Sequence, residues 1–133
     1  TIIKAKKSRD HTEILFKHLK IPIKIKREKN HDLIEVNGKK NFKSFNYNIP
    51  SDISSSAFFI VLTLLSKKSS LIIKNVNINP SRTGFISILN KMGAKIIFRN
   101  KKKYNGEKIA DIFVKPARSI NFISLNFIIK KVN

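Results

Sequence analysis

Cysteine is absent from this sequence, and acidic residues and long apolar runs are scarce. The absence of cysteine excludes disulfide bonds, cysteine-ligated zinc sites and a thiol nucleophile, and it fits a reducing compartment. The longest apolar run, AFFIVLTLL, has the length of a core helix and is too short to span a bilayer. The first residues contain neither the apolar segment of a signal peptide nor an initiator methionine. We therefore expect a cytoplasmic protein without membrane contact, and a piece of a longer chain.

The chain is strongly basic. Its 133 residues include 28 lysines and arginines against 8 aspartates and glutamates, which gives a net charge of +20. Dense positive charge attracts phosphates, so a nucleic acid or an anionic small substrate is one interpretation. The other is compositional bias, because the lysines are scattered along the chain and greatly outnumber the arginines, as an AT-rich coding sequence would produce on any fold. We favour the second interpretation, and a phosphate-bearing small substrate is compatible with both.

Hydrophobic periodicity predicts three helices separated by short strands. The first helix, at 10–20, has Asp10 as its N-cap and Glu13 three residues later, which is a capping-box pattern. The second, within 51–70, is nearly all apolar after its serines, so we expect it to be buried on most sides. The third begins at an Asn79 N-cap and ends at Gly93. Strands are predicted at 1–5, 21–28, 32–39, 42–50, 69–78, 94–100 and 108–115.

The order of these elements repeats along the chain. Ser8-Arg9 recurs as Ser81-Arg82, and after each pair a helix is followed by two strands. This predicts an α/β (α+β) fold of repeated βαβαββ units, of which about one and a half are present. A repeat architecture of this kind leaves each unit unable to bury its own faces alone.

The segment SRDHTE places a histidine beside two carboxylates. His11 with Asp10 and Glu13 is a candidate acid–base cluster, but neighbours in the first turn of a helix do not face each other. We favour helix capping by the two carboxylates, with His11 on the surface or against a ligand. His18 and His31 lack metal-ligand spacing with carboxylates, so no metal site is expected.

Arg9 is the stronger candidate for binding. It lies just before a predicted helix start, where unpaired amides and the helix dipole favour an anion, and its guanidinium adds a bidentate phosphate donor. Arg82 has the similar position in the second copy, and Ser54 to Ser56 open the remaining helix. If these helix starts converge on one cleft, that cleft binds anions. The sequence contains neither a GxGxxG pattern nor a Walker loop.

Four segments together resemble one family. They are SRDHTE, IPSDISSSAFF, NVNINPSRTGFISILNKMGAKI and GEKIADIFVK. In this order and at about this spacing they are similar to the motifs of 5-enolpyruvylshikimate-3-phosphate synthases, over residues 1 to about 115. The resemblance implies a two-domain enzyme of the inverse α/β prism fold, built from repeated units whose helix starts point into the cleft between the domains.

The resemblance also implies a chemistry. The family transfers the enolpyruvyl group of phosphoenolpyruvate to the 5-hydroxyl of shikimate 3-phosphate and releases phosphate, as a step of the shikimate pathway that leads to chorismate and the aromatic amino acids. The implied complete enzyme needs no metal or organic cofactor and is a monomer. In the family the arginine of this motif contacts the 3-phosphate, a role that the resemblance carries to Arg9, with Ser8 as a neighbouring candidate. Asp52 falls at the crossover between domains and is a hinge or cleft residue by the same reasoning, or simply a helix N-cap.

The sequence also departs from the family. Ser51 stands at the position of the family's crossover glycine, and Lys4 replaces an acidic residue. The stretch 116–133 does not match the family's continuation, which would supply the catalytic acid, lysine and arginine, and the family's N-terminal substrate-binding lysine is missing. We therefore expect 1–50 to end one domain, 51–115 to start the other and 116–133 to be a divergent or out-of-family tail. No catalytic residue is assigned, and the chain is expected to be inactive alone.

One alternative belongs to another class of protein. A small basic α/β module could bind nucleic acid non-specifically through its lysines, with aromatic residues stacking on bases. Phe42, Phe45 and Tyr47 are the candidates for stacking, although they are equally consistent with one buried strand face.

Overall fold

The computed structural model describes residues 1–38, 41 and 44–117. Phe42 and the stretch 118–133 therefore lie outside the described residues. The elements are β1 (Ile2–Lys6), α1 (His11–His18), β2 (Ile23–Arg27), β3 (His31–Val36), α2 (Ile53–Leu65), β4 (Leu71–Asn77), α3 (Gly84–Lys91), β5 (Ile96–Tyr104) and β6 (Glu107–Val114). Along this part of the chain, no helix is long and apolar enough to cross a membrane.

The strands form two antiparallel sheets with the same topology. The first has the order β1-β3-β2 and the second β4-β6-β5, so in each sheet the last strand of the unit lies in the centre. Each unit therefore runs strand, helix, strand, strand: the first consists of β1, α1, β2 and β3, and the second of β4, α3, β5 and β6, with α2 preceding β4 and packing on the second sheet. The last two strands of each unit form a hairpin, in which Ile25 pairs with Ile34 and Tyr104 with Glu107. This mixed fold of repeated units confirms the fold predicted from the sequence.

The main core lies between the second sheet and helices α2 and α3. On β6, Ile112 and Val114 point into this core, while Phe113 lies on the opposite face, where the Arg99 guanidinium is 4.2 Å from its ring centroid. The first unit is more open, since Ile34, still 9% exposed, is its one buried apolar residue among the described residues. The core cluster consists of Ile53, Ile60, Leu64, Val76, Ile86, Ala94, Ile96, Ile112 and Val114.

The expectation that α2 is buried on most sides is wrong. Ile60 and Leu64 are buried against the sheet, whereas Phe58 is 80% exposed and Phe59, Leu62 and Leu65 are exposed with it. The reason is geometric, because a helix covered by one sheet buries only one face, and a single repeat unit has no second layer.

Two further boundaries differ from prediction. The sequence predicts a strand at 42–50, but residues 44–50 form none. The first residue after them with β-bridge hydrogen bonding is Ser51, which makes an isolated parallel bridge to Val76. Pro50 precedes this bridge and lacks the N–H that a ladder needs. Helix α3 starts at Gly84 rather than at Asn79, because the Asn79 side chain accepts hydrogen bonds from the backbone N–H and the hydroxyl of Ser81 and so forms a turn.

The second sheet carries two irregularities that share one carboxylate. The register shifts in β4 and in β5, and beside these shifts Asn75 and Asn100 adopt left-handed backbone angles, with φ of 52° and 50°. Asp111, on the central strand, accepts hydrogen bonds from the Asn100 side-chain amide and the Asn75 backbone N–H, which lower its pKa below the usual value. Asp111 thus holds both outer strands at their bulges.

Candidate functional site

Ser8 and Arg9 lie in the loop between β1 and α1, and both are exposed. Ser8 lines a cavity of about 400 Å³ to which both units contribute, while Arg9 lies outside its lining. Among the described residues Arg9 makes no hydrogen bond or ion pair, in contrast to Arg27, which lies 3.9 Å from the Asp10 carboxylate, and Arg82, which contacts Asp52. Its guanidinium is therefore available to an external anion.

The start of α1 has no side-chain cap. Asp10 occupies the N-cap position, but its carboxylate accepts a hydrogen bond from the Asn79 side chain at 2.7 Å instead of from the helix. The predicted capping box is therefore wrong, because a partner from the second unit takes the carboxylate that would have capped the helix. The first-turn amides of α1 keep their partial positive charge next to Arg9.

His11 is paired with a carboxylate far away in the sequence. Its Nδ1 lies 2.6 Å from Oε1 of Glu107, the first residue of β6. Glu107 is only 4% exposed, and its other oxygen, Oε2, has no partner among the described residues. The prediction that His11 lies on the surface or against a ligand did not foresee this pair, since no local pattern links residues 96 positions apart.

Gly106 brings the β5–β6 hairpin against α1. Asn105 and Gly106 both have positive φ, 48° and 86°, as a two-residue type I′ turn requires. A Cβ at Gly106 would lie 2.8 Å from Cγ2 of Ile14 on α1. The glycine therefore permits both the turn and a backbone approach that any side chain would block.

Asp52 caps α2 and pairs with Arg82. Its carboxylate accepts hydrogen bonds from the Ser55 backbone N–H and hydroxyl, both at 2.9 Å, and from the Arg82 guanidinium at 3.1 Å. These contacts, the Ser55 N–H first among them, lower the pKa of Asp52. Arg82 also donates to the Ser54 hydroxyl. The Asp52 carboxylate therefore neutralises both Arg82 and the positive start of α2, which leaves them less suited to an external anion than Arg9.

A second cavity, of about 250 Å³, lies beside this group. Its lining includes His11, Tyr47, Asp52, Arg82 and Glu107, so Glu107 contributes to both cavities. Burial raises the pKa of the Tyr47 hydroxyl, and the nearby Glu107 carboxylate adds to the effect. Two of the three predicted site residues, Ser8 and Asp52, thus line neighbouring cavities that share the buried carboxylate of Glu107.

The described residues hold no group of three histidine, aspartate or glutamate side chains that could bind a metal. His31 instead pairs with Glu28 across the β2–β3 turn, with 2.9 Å between Nε2 and Oε2. Phe45 and Tyr47 make an edge-to-face contact with 6.3 Å between ring centroids, but neither lies on a strand. They are therefore neither a stacking surface on a sheet nor one buried strand face.

Comparison with known proteins identifies relatives along most of the chain. Residues 1–128 match the family model described as EPSP synthase (3-phosphoshikimate 1-carboxyvinyltransferase), so the match extends past the last of the four motifs and into the stretch 116–133. Proteins named 3-phosphoshikimate 1-carboxyvinyltransferase from Petrotoga mobilis and Caldicellulosiruptor bescii are 42% and 44% identical over 116 and 115 residues, or 87% and 86% of this chain.

A solved structure shares the fold. EPSP synthase from Acinetobacter baumannii superposes with a TM-score of 0.75 at 36% identity, over 90% of this chain and 27% of that one. The two curated relatives are likewise covered only to 26% of their length. The chain thus spans about a quarter of the length of the proteins it matches.

Proposed function

The chain belongs to the EPSP synthase family, and we propose that it is a segment of an enzyme that transfers the enolpyruvyl group of phosphoenolpyruvate to shikimate 3-phosphate. In this reaction the 5-hydroxyl of shikimate 3-phosphate is enolpyruvylated and inorganic phosphate leaves. The observation that carries the proposal is the identity of over 40% to two named transferases across nearly the whole chain.

The structure offers one residue for the substrate's phosphate. Arg9 lies beside the uncapped start of α1 and has no partner among the described residues, so an anion there would meet a guanidinium, free amides and the positive end of the helix dipole. We assign the 3-phosphate of shikimate 3-phosphate to Arg9, with Ser8 as a neighbouring hydroxyl donor. Asp52, engaged with Ser55 and Arg82, is assigned to holding the crossover rather than to contacting the substrate.

The proposal divides the chain at this crossover. Residues 1–50 would end one domain and 51–115 would begin the other, with Ser51 and Asp52 at the junction. No family catalytic residue is assigned within the chain, so we propose that turnover, a monomeric state and a cytoplasmic location belong to the complete enzyme, which requires no metal or organic cofactor.

Calorimetric titration of shikimate 3-phosphate into the complete enzyme tests the assignment of Arg9. Arg9→Ala is expected to weaken binding by about 1.5–3 kcal/mol, the range for a hydrogen bond to a charged group. Lys17→Ala, on the exposed side of α1, removes the same charge and is the matched control that should bind normally. An unchanged dissociation constant for Arg9→Ala would remove Arg9 from the site.

A further inference from the structure

Three contacts join the first half of α1 to the second unit. His11 pairs with Glu107, Asp10 accepts a hydrogen bond from Asn79, and Ile14 packs on Gly106. All three come from Asp10 and the first half of α1, and they reach the turn before α3 and the β5–β6 hairpin of the second unit. We call these six residues the α1 clasp.

The His11–Glu107 pair is the contact on which the clasp depends most. Glu107 is almost fully buried, and an ionised carboxylate in such a place is costly unless a donor compensates it. Among the described residues, His11 is the one hydrogen-bonding partner of this carboxylate, since Oε2 has no partner. If α1 moved away, Glu107 would lose its donor, so the pair favours the arrangement in which α1 is docked.

Charged groups from several elements surround this pair. Lys7 and Arg27 from the first unit and Lys108 from β6 line the same cavity as Glu107, together with the carboxylates of Asp10 and Asp32. In the part of the chain that the structure describes, however, only His11 lies within hydrogen-bonding distance of the Glu107 carboxylate. The surrounding charges therefore influence Glu107 only through long-range electrostatics, while the direct contact with His11 fixes the position of α1 relative to Glu107.

We propose that the α1 clasp positions Arg9 for the substrate phosphate by fixing α1 on the second unit. Arg9 is two residues before His11, so any shift of the helix start moves it. The inference rests on the proposed function, and on the division of the chain at the crossover, which makes the clasp a contact between two domains. His11 is thus a positioning residue, and it acts when the domains are together.

Because the sequence contains no cysteine, distances across the clasp can be measured with two introduced spin labels. Lys17→Cys on α1 and Lys103→Cys on β5, both exposed, report the separation of the two units in the 133-residue chain by pulsed electron paramagnetic resonance. We expect one narrow distance distribution that broadens with His11→Ala. His18→Ala, which removes an exposed histidine from the same helix, should leave it narrow. An unchanged distribution with His11→Ala would overturn the clasp.

A second variant covers the case in which His11→Ala unfolds the chain. Adding Glu107→Gln removes the uncompensated charge, so the double variant is expected to regain its far-ultraviolet circular dichroism while its distance distribution stays broad. A double variant that remains unfolded would show that His11 supports the core rather than a contact between units, which also contradicts the proposal.

Calorimetry on the complete enzyme separates this inference from the proposed function. His11→Ala is expected to weaken shikimate 3-phosphate binding about tenfold, and to have no further effect once Arg9→Ala is present, because His11 acts through Arg9. If Arg9→Ala weakens binding but His11→Ala does not, or if the two effects simply add, the positioning role is wrong. If neither variant changes binding, the phosphate assignment itself fails.

Discussion

Removing the Asp52 carboxylate should destabilise the second unit by a predictable amount. Asp52→Ala deletes the N-cap bond to Ser55, worth about 1 kcal/mol, and an ion pair with Arg82 worth about 0–1 kcal/mol at an exposed site. The Asp52 side chain is 51% exposed, so water compensates part of the loss, whereas Arg82 is only 16% exposed and keeps an unpaired charge. We expect a total cost of about 1–2 kcal/mol.

Urea unfolding followed by far-ultraviolet circular dichroism measures this cost, since the sequence has no tryptophan for fluorescence. With a slope of about 1–2 kcal/mol per molar urea, the midpoint of Asp52→Ala should fall by about 1 M. Asp52→Asn is the matched control, because asparagine caps helices as well as aspartate: its one acceptor oxygen can keep the Ser55 bond, while the ion pair with Arg82 is lost. Equal midpoints for Asp52→Ala and the parent chain would refute the capping account.

The same variant should show a defined pH dependence. The pKa of Asp52 is lowered in the folded state, mainly by the Ser55 N–H, so its contribution is present above the unfolded pKa of about 3.9 and is lost as pH falls through the folded value. The difference in free energy of unfolding between the parent chain and Asp52→Ala should therefore be largest at pH 7 and should decrease as the pH falls. A difference that grows in acid would contradict the sign of this linkage.

Two further variants test the packing of the core and of the clasp. Ile60→Ala should lower the free energy of unfolding by about 2–5 kcal/mol because Ile60 is fully buried. Phe58→Ala, two positions away and mostly exposed, should lower it by less than about 0.5 kcal/mol. Similar urea midpoints for the two variants would contradict the assigned buried face of α2. Gly106→Ala should lower the free energy of unfolding by about 1–3 kcal/mol, because the new Cβ would lie 2.8 Å from Ile14 on a backbone with a φ of 86°. A variant as stable as the parent chain would show that the hairpin does not pack on α1.

The repeat was predictable because it depends on local signals. Apolar spacing identified the helices, alternation identified the strands, and Asn105-Gly106 marked the turn that the structure shows. Gly93, predicted to end α3, has a φ of 96°, as expected of a glycine just after a helix. These features need no information beyond a dozen neighbouring residues.

The errors arise where distant groups compete with local ones. Asp10 has the residue type and position of an N-cap, but Asn79, from the second unit, takes its carboxylate. Likewise, Glu107 follows a turn in a basic, exposed hairpin, and nothing nearby predicts that it is buried against His11. The exposed face of α2 was missed for a related reason, since periodicity shows that a helix is apolar but not how many layers cover it.

The phosphate-release assay with shikimate 3-phosphate and phosphoenolpyruvate tests the central claim most directly. It should compare the purified 133-residue chain with the protein expressed from the complete reading frame that contains it. Our account predicts steady release of phosphate by the complete protein and none by the 133-residue chain. Turnover by the 133-residue chain alone, or a complete protein that releases no phosphate, would contradict it.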